Sequence, residues 1–186
     1  MRPTFEFVSS AITPGDKLVI FAFEDDYSFG ILQSTAHWLW FTTKCSKQLE
    51  RFIYNPTVAF DTFPWPQQPT REQIKAVAEA AVALRALRRE TMRKLNYSLR
   101  DLYRTLEQPG DNPLRDAHTS LDAAVHAAYG MPADADPLAF LLKLNLACAA
   151  KEKGGEKITP PGLQLPVNEQ QKFVTDDCIE PPKLRA

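Results

Sequence analysis

The sequence predicts an α+β protein that is mostly helical. Two short segments near the N-terminus, residues 4–8 and 18–23, have the alternation or the aliphatic and aromatic density of β-strands. Beyond residue 70, apolar residues instead recur at the three- and four-residue spacing of amphipathic helices. We therefore expect a short strand–helix remnant of a larger β-containing domain, then a helical bundle and an extended C-terminal tail.

The predicted strands are separated by a turn at residues 13–16 and followed by a helix over residues 28–43. Apolar side chains cover nearly the whole surface of this helix, which is typical of a helix buried between two layers. Two strands do not make a stable sheet alone. The sequence therefore predicts unpaired strand edges, through which the chain would self-associate.

Residues 60–66 (Phe-Asp-Thr-Phe-Pro-Trp-Pro) interleave large aromatic side chains with prolines. Proline fixes φ and disfavours the helical conformation in the residue before it, so Phe63 and Trp65 belong to a stiff, extended segment. Such a segment is suited to packing one subdomain against the next. The composition changes after Pro66, and we place a domain boundary there.

The next helix opens with Thr70 as N-cap and Gln73 at the position that completes a capping box. It is rich in alanine, arginine and leucine to about residue 95. After a break at residues 96–98, a second helix runs to about residue 107.

Two further helices open with an N-cap followed by proline, at Pro113 and Pro137, and Gly130 ends the first of them. The repeated start signal predicts a compact bundle. Residues 155–186 are rich in proline and show little periodicity, which predicts an extended or disordered tail. The expected domains are thus residues 1–66, 67–154 and 155–186.

Composition sets limits on the class of protein. The 186 residues carry a net charge of −1, so no global charge attracts the chain to nucleic acid or to an anionic membrane. The three cysteines are widely spaced and lack metal-ligand spacing, which predicts free thiols in a reducing compartment. With no signal peptide or membrane-spanning segment in the sequence, we expect a cytoplasmic protein with no membrane partner.

Basic residues at two places are candidates for contacts with phosphates. Lys44, Lys47 and Arg51 lie within eight positions in a segment that is predicted to be irregular or strand-like. Gln48, Glu50 and Arg51 supply three hydrogen-bond patterns that suit adenine, cytosine and guanine respectively. The alternative is a solvated loop with incidental charges.

The second place is the long helix pair, where residues 71–107 hold nine basic residues against five acidic ones. Arginines recur there at three- and four-residue spacing, which places them along one side of a helix. This spacing predicts a basic stripe that follows the phosphates of nucleic acid and consists of Arg85, Arg88, Arg89 and Arg93. Such a stripe would position nucleic acid without reading its sequence. The alternative is a solvated helix face.

Several other polar residues are interpreted as structural. We expect His37 to be a core histidine and the Asp25–Asp26 pair to form a turn, since no third metal ligand is in view. His118 and Asp122 share one helix face, and we expect capping or interhelical hydrogen bonds from them.

The ordered set of motifs resembles the C-terminal region of large N6-adenine DNA methyltransferases, which include bifunctional type II restriction–modification enzymes. The resemblance covers roughly residues 3–150 and is carried by residues 25–34, 37–41, 45–46, 60–66, 114–118 and 121–130. It implies that residues 1–66 are the end of a target recognition domain and that residues 67–154 are a helical C-terminal module. The implied specificity residues are Lys47, Gln48, Glu50 and Arg51.

The family's catalytic motif is absent from this sequence. The nearest string, residues 55–58 (Asn-Pro-Thr-Val), lacks the second proline and the aromatic residue that would stack on a flipped adenine. We therefore expect no catalytic, cofactor-binding or metal-binding residues here, and S-adenosylmethionine bound elsewhere in the parent enzyme. The resemblance implies two partners, double-stranded DNA and the remainder of the methyltransferase. The alternative is a docking or dimerisation module that makes no DNA contact.

Overall fold

The computed structural model describes residues 4–15, 18–48 and 51–180, except for the side chains of residues 47, 48 and 51, and the regular secondary structure of this part is almost all helix. The α-helices are α1 (Asp26–Gln33), α2 (Thr35–Lys44), α3 (Pro56–Ala59), α4 (Arg71–Leu95), α5 (Leu99–Arg104), α6 (Pro113–Tyr129), α7 (Pro137–Lys153), α8 (Val167–Gln170) and α9 (Asp176–Ile179). Short 3-10 helices lie at Thr105–Glu107 and Gln171–Phe173. One antiparallel pair, β1 (Lys47–Gln48) and β2 (Arg51–Phe52), is the strand structure in these residues.

The 25-residue helix α4 is the centre of the fold, and it packs most extensively against α6 and α1. The apolar stripe predicted from the sequence faces inward, with Ile74, Val77, Ala81 and Leu84 all buried. One hydrophobic cluster joins this stripe to side chains of α1, α2, α6 and α7, and it extends to Leu163. Among the described helices, none combines the length and apolar character that crossing a bilayer requires.

The prediction of an α+β fold is wrong, because residues 4–8 and 18–23 form no strand. Phe5, Phe7 and Phe21 do pack against the core. At Phe5, however, the backbone is hydrogen-bonded by helix side chains. The Phe5 N–H donates to Gln33 Oε1 (2.9 Å), and the Phe5 carbonyl accepts from Arg88 Nη2 (3.0 Å). The strand edges on which self-association was predicted are therefore not formed by these two segments.

The helix predicted over residues 28–43 is two helices, because Ser34 interrupts it with an extended backbone (φ −70°, ψ 162°). The Ser34 hydroxyl caps α2 by accepting from the backbone N–H of His37, which is the usual role of serine at this position. The next residue, Thr35, donates its backbone N–H to Asp122 Oδ1 of α6 (2.6 Å). The break thus ties the start of α2 to α6, and every residue of α1 is buried.

The helix boundaries that rest on local signals are confirmed. Thr70 and Gln73 form the predicted capping box, and α4 ends at Asn96 in the left-handed conformation (φ 53°). Pro113 occupies the first turn of α6, which ends at Gly130 with φ 61°.

Residues 63–66, which follow α3 and an exposed turn at residues 61–62, form a buried segment that leads to the bundle. Phe63 and Trp65 are buried, and the carbonyl of Pro64 accepts a hydrogen bond from the Tyr129 hydroxyl of α6 (2.8 Å). Just beyond, the Gln67 side chain pairs with the backbone of Thr159, accepting its N–H (2.9 Å) and donating to its carbonyl (3.2 Å). The division into domains at residues 66 and 154 stays a prediction.

Two arginines of α4 are buried and neutralised by carboxylates from distant parts of the sequence. Arg85 is 2% exposed and pairs with Asp26 of α1 and, through Nε at 2.8 Å, with Asp177. Arg88 is 1% exposed and pairs with Glu6. Burial raises the pKa of Asp177, but hydrogen bonds from Arg85 and Thr175 outweigh it and hold that pKa below its ordinary value. These pairs bind the N-terminal segment, α1 and the C-terminal segment to one helix.

α1 packs tightly on α4 at Gly30, and we expect Gly30→Ala to destabilise the protein. A Cβ at residue 30 would lie 2.7 Å from Val77 Cγ1 and 3.2 Å from the Val77 carbonyl oxygen, so the helices would have to separate. Overpacking of this kind costs about 1–3 kcal/mol, against a gain of up to about 1 kcal/mol in helix propensity. Urea denaturation measures the change. Gly15→Ala is the control, because a Cβ at residue 15 would meet nothing within 4 Å. Equal stability of the two variants would contradict the packing described.

We expect Arg85→Met to lower the free energy of unfolding by about 3–5 kcal/mol, because Asp26 would remain buried without its cation. The matched control is Arg93→Met, an exposed arginine on the same helix, for which we expect a change within about 0.5 kcal/mol. Chemical denaturation of both variants gives the comparison. A small effect at residue 85 would mean that the pair with Asp26 is not formed in solution.

Candidate nucleic-acid interface

The predicted specificity residues lie in a small hairpin that follows α2. β1 and β2 are antiparallel, with Lys47 opposite Phe52 and Gln48 opposite Arg51. Glu50 lies outside the described residues, and for Lys47, Gln48 and Arg51 the structure describes the backbone and not the side chain. The backbone register places Gln48 and Arg51 opposite each other, one step beyond the pair of Lys47 and Phe52.

Lys44 stands at the C-terminal end of α2, immediately before the hairpin. Its side chain is exposed, and Nζ lies 4.7 Å from the centre of the Trp40 ring, which is a cation–π contact. Trp40 itself is fully buried and donates its indole N–H to Thr62 Oγ1 (3.1 Å). The ammonium group is therefore held beside the hairpin by a rigid ring.

The base of the hairpin rests on a separate aromatic cluster. Phe52 and Tyr54, two residues apart, both pack on Phe41 of α2, with ring centroids 5.6 and 5.1 Å away. Cys45 and Ala59 are buried in the same cluster. The strands are only two residues long, so this packing supplies most of what holds the hairpin to the protein.

A buried histidine joins this cluster to the main core. His37 is fully buried, with Nδ1 2.9 Å from the carbonyl oxygen of Leu32 and Nε2 2.9 Å from the Tyr54 hydroxyl. Because a carbonyl only accepts, Nδ1 carries the proton and Nε2 accepts from Tyr54. Burial lowers the pKa of His37 to about 4, partly offset by the hydrogen bond to Leu32, so the ring is neutral near pH 7. The prediction of a core histidine is confirmed.

The four arginines predicted to form a phosphate-tracking stripe do not make a continuous exposed surface. Arg85 and Arg88 are buried in ion pairs, and Arg89, whose side chain is 38% exposed, pairs with Asp177. Arg93 is exposed. A signal for the burial was present in the sequence, because positions 85 and 88 continue the three- and four-residue spacing of the core stripe.

Asp26, Asp177 and Cys178 place one potential metal-ligand atom each within 4.8 Å of one another, a grouping that the sequence did not predict. The Arg85 guanidinium donates to both carboxylates, and Arg85 and Arg89 together balance their two negative charges. Burial raises the pKa of Cys178 to about 11, so its sulfur is a protonated thiol and a poor ligand. We interpret the group as an ion-pair network.

Asp25 is the N-cap of α1 and accepts from the Ser28 N–H (2.7 Å).

The predicted interhelical hydrogen bonds are confirmed. His118 Nε2 lies 2.9 Å from the Tyr103 hydroxyl of α5, and Asp122 accepts from Thr35. Each side chain thus holds a different pair of helices together, and the two do not form an acid–base pair with each other.

Comparison with known proteins relates the chain to restriction–modification enzymes. Residues 3–67 match the family model described as MmeI, target recognition domain, and this stretch includes the whole hairpin. DNA methyltransferase A of Bacillus subtilis (strain 168) is 31% identical over 121 residues, which are 63% of this chain and 13% of that protein.

A solved structure, the type IIL restriction–modification enzyme MmeI in complex with DNA, is 32% identical with a TM-score of 0.59. The match covers 68% of this chain and 16% of that one, so this chain spans less than a fifth of either relative. The sequence resemblance, the family match and the shared fold agree. Residues 3–67 thus match the MmeI target recognition domain, and the chain is similar to a segment of two much larger proteins, DNA methyltransferase A and the restriction–modification enzyme MmeI.

Proposed function

We propose that this chain is a DNA sequence-recognition segment of an adenine-specific methyltransferase of the restriction–modification type, and that its hairpin carries the base contacts. The observation that carries the proposal is the position of the hairpin. It lies inside the stretch that matches the MmeI target recognition domain and gathers basic and amide residues at its end. The relative solved with DNA supports a duplex as the ligand.

The residues divide into two roles. Lys44, Lys47 and Arg51 neutralise phosphates, which fixes the register of the protein on the duplex. Gln48, Glu50 and Arg51 read base edges in the major groove, where each base pair presents a distinct pattern of donors and acceptors. Arg89 and Arg93 are assigned to outer phosphate contacts. Arg85 and Arg88 have no part, because their charges are neutralised inside the fold.

Catalysis is assigned to the part of the enzyme outside these residues. The relatives are six to eight times longer than the matched segment, which leaves room for the methyl-transfer site and for S-adenosylmethionine there. This chain then holds the duplex and selects its sequence without methylating it. Its direct protein partner is the remainder of the methyltransferase.

A second candidate is a protein–protein docking module without DNA contact. It is favoured by an open apolar groove of about 480 Å³ beside α7, whose lining includes Pro132, Ala139, Phe140, Leu144 and Ala147. Exposed apolar side chains are also found elsewhere, including Leu18 and Leu146. Docking through such surfaces would be insensitive to salt, whereas contacts with phosphates weaken steeply as salt rises.

Selection from a pool of random duplexes across a salt series tests the proposal. We expect an enriched sequence, and an affinity that falls with salt at a slope of about −0.9 per phosphate neutralised. Lys44→Ala should make that slope shallower by about 1 and leave the enriched sequence unchanged. Gln48→Ala or Glu50→Ala should relax the preference at one position, by about 1–3 kcal/mol.

Lys151→Ala, which removes an exposed lysine of α7, is the control for loss of one positive charge and should leave affinity nearly unchanged. Binding without an enriched sequence would mean that the chain contacts phosphates and does not read bases. If no duplex is retained at low salt, the proposal fails and the docking module takes its place.

A further inference from the structure

The hairpin is attached to the core by a directional contact as well as by packing. Aromatic packing of Phe52 and Tyr54 on Phe41 tolerates small rotations and sliding of the rings. The hydrogen bond between the Tyr54 hydroxyl and His37 Nε2 does not, because its strength depends on both distance and angle.

The acceptor of this hydrogen bond is itself fixed. His37 Nδ1 donates to the Leu32 carbonyl at the end of α1, which leaves one tautomer and one ring orientation that satisfy both partners. The ring also packs edge-on against Phe63, at 5.0 Å between centroids. Through His37, the position of Tyr54 is therefore fixed relative to α1 and to Phe63, and not only relative to α2, the helix that precedes the hairpin.

Such a reference point matters more for base contacts than for phosphate contacts. Reading a base edge requires donors and acceptors to be held within about 0.5 Å of their productive positions. Long lysine and arginine side chains reach phosphates from many backbone positions, and these contacts carry no sequence information. A hairpin that shifted slightly would keep its phosphate contacts with DNA and would no longer distinguish one base sequence from another.

We propose that the hydrogen bond from Tyr54 to His37 sets the placement of the hairpin for base readout, so that both are positioning residues for sequence specificity. The inference rests on the proposed function of the hairpin. It assigns to these residues an effect on which sequence is preferred, with no effect on how many phosphates are bound.

The test is Tyr54→Phe, which removes the hydroxyl and keeps the ring. The chain offers a matched control in Tyr103→Phe, because the Tyr103 hydroxyl makes an equally long hydrogen bond (2.9 Å) to another buried histidine, His118, between α5 and α6. Both variants lose one tyrosine–histidine hydrogen bond, and only one of the two bonds holds the hairpin.

In Tyr54→Phe we expect the ratio of affinities for the enriched and a scrambled duplex to fall about five- to tenfold, the equivalent of one hydrogen bond, with an unchanged salt slope. Tyr103→Phe should keep the wild-type ratio even if it lowers thermal stability as much. Equal discrimination by the two variants would overturn the inference, as would a shallower salt slope in Tyr54→Phe.

Hydrogen–deuterium exchange of the free proteins separates this inference from the proposed function. The amides of residues 46–54 should exchange about five- to tenfold faster in Tyr54→Phe and at the wild-type rate in Tyr103→Phe. If the wild-type chain binds no duplex, the proposed function fails, and faster exchange still supports the role of Tyr54 in placing the hairpin. Unchanged exchange overturns that role whatever the DNA measurements give.

Discussion

Neutralising two guanidinium groups inside the fold is the constraint on which the rest of the structure depends. A buried charge without a partner costs several kcal/mol, so Arg85 and Arg88 require carboxylates at fixed positions around α4. Those carboxylates are Glu6, Asp26 and Asp177, which come from the two ends of the chain and from α1. Satisfying the arginines therefore determines where three segments lie, and the apolar core fills the space between them.

Side chains of α1 and α4 take the place of a neighbouring strand at Phe5. Gln33 of α1 and Arg88 of α4 hydrogen-bond the backbone of Phe5, which lets this segment lie on helices. The hairpin of residues 46–54 is organised differently, with an aromatic base packed on Phe41 and polar residues paired beyond it. Because the base alone packs on the protein, the polar residues of the hairpin are not needed for the fold.

What the sequence predicted well is local. Capping boxes, N-terminal prolines and left-handed C-caps are signals within four residues, and the helix ends at Thr70, Pro113 and Gly130 follow them. The alternation of residues 4–8 agrees with the packing of Phe5 and Phe7 against the core, but alternation does not reveal whether a strand or a side chain pairs with the backbone. That is why the predicted strands are absent.

In the candidate site, too, the sequence predicted what is local and missed the contacts between residues that are distant in the sequence. Lys44, Lys47 and Arg51 were grouped because they are close in the sequence, and the family resemblance implied a role in specificity for Lys47 and Arg51. The hydrogen bond of Tyr54 joins residues 17 positions apart, and the ion pairs of Arg85 join residues 59 and 92 apart, so no local pattern contains them. The position of Arg85 and Arg88 on the core stripe was the available signal, but a charged side chain at a core position does not name its partner.

The location of Asp177 has a consequence for the order in which the protein acquires its structure during synthesis. Arg85 can meet Asp26 as soon as α4 has left the ribosome, but its second carboxylate is made 92 residues after it. The ion pair of Arg89 closes with that same late carboxylate. Until then, Asp26 balances the charge of Arg85, but the Arg85 Nε–H has no acceptor and Arg89 has no carboxylate partner. A nascent chain stalled before residue 177 would therefore hold a buried N–H donor without its acceptor in an otherwise assembled core, and the C-terminal segment supplies that acceptor last.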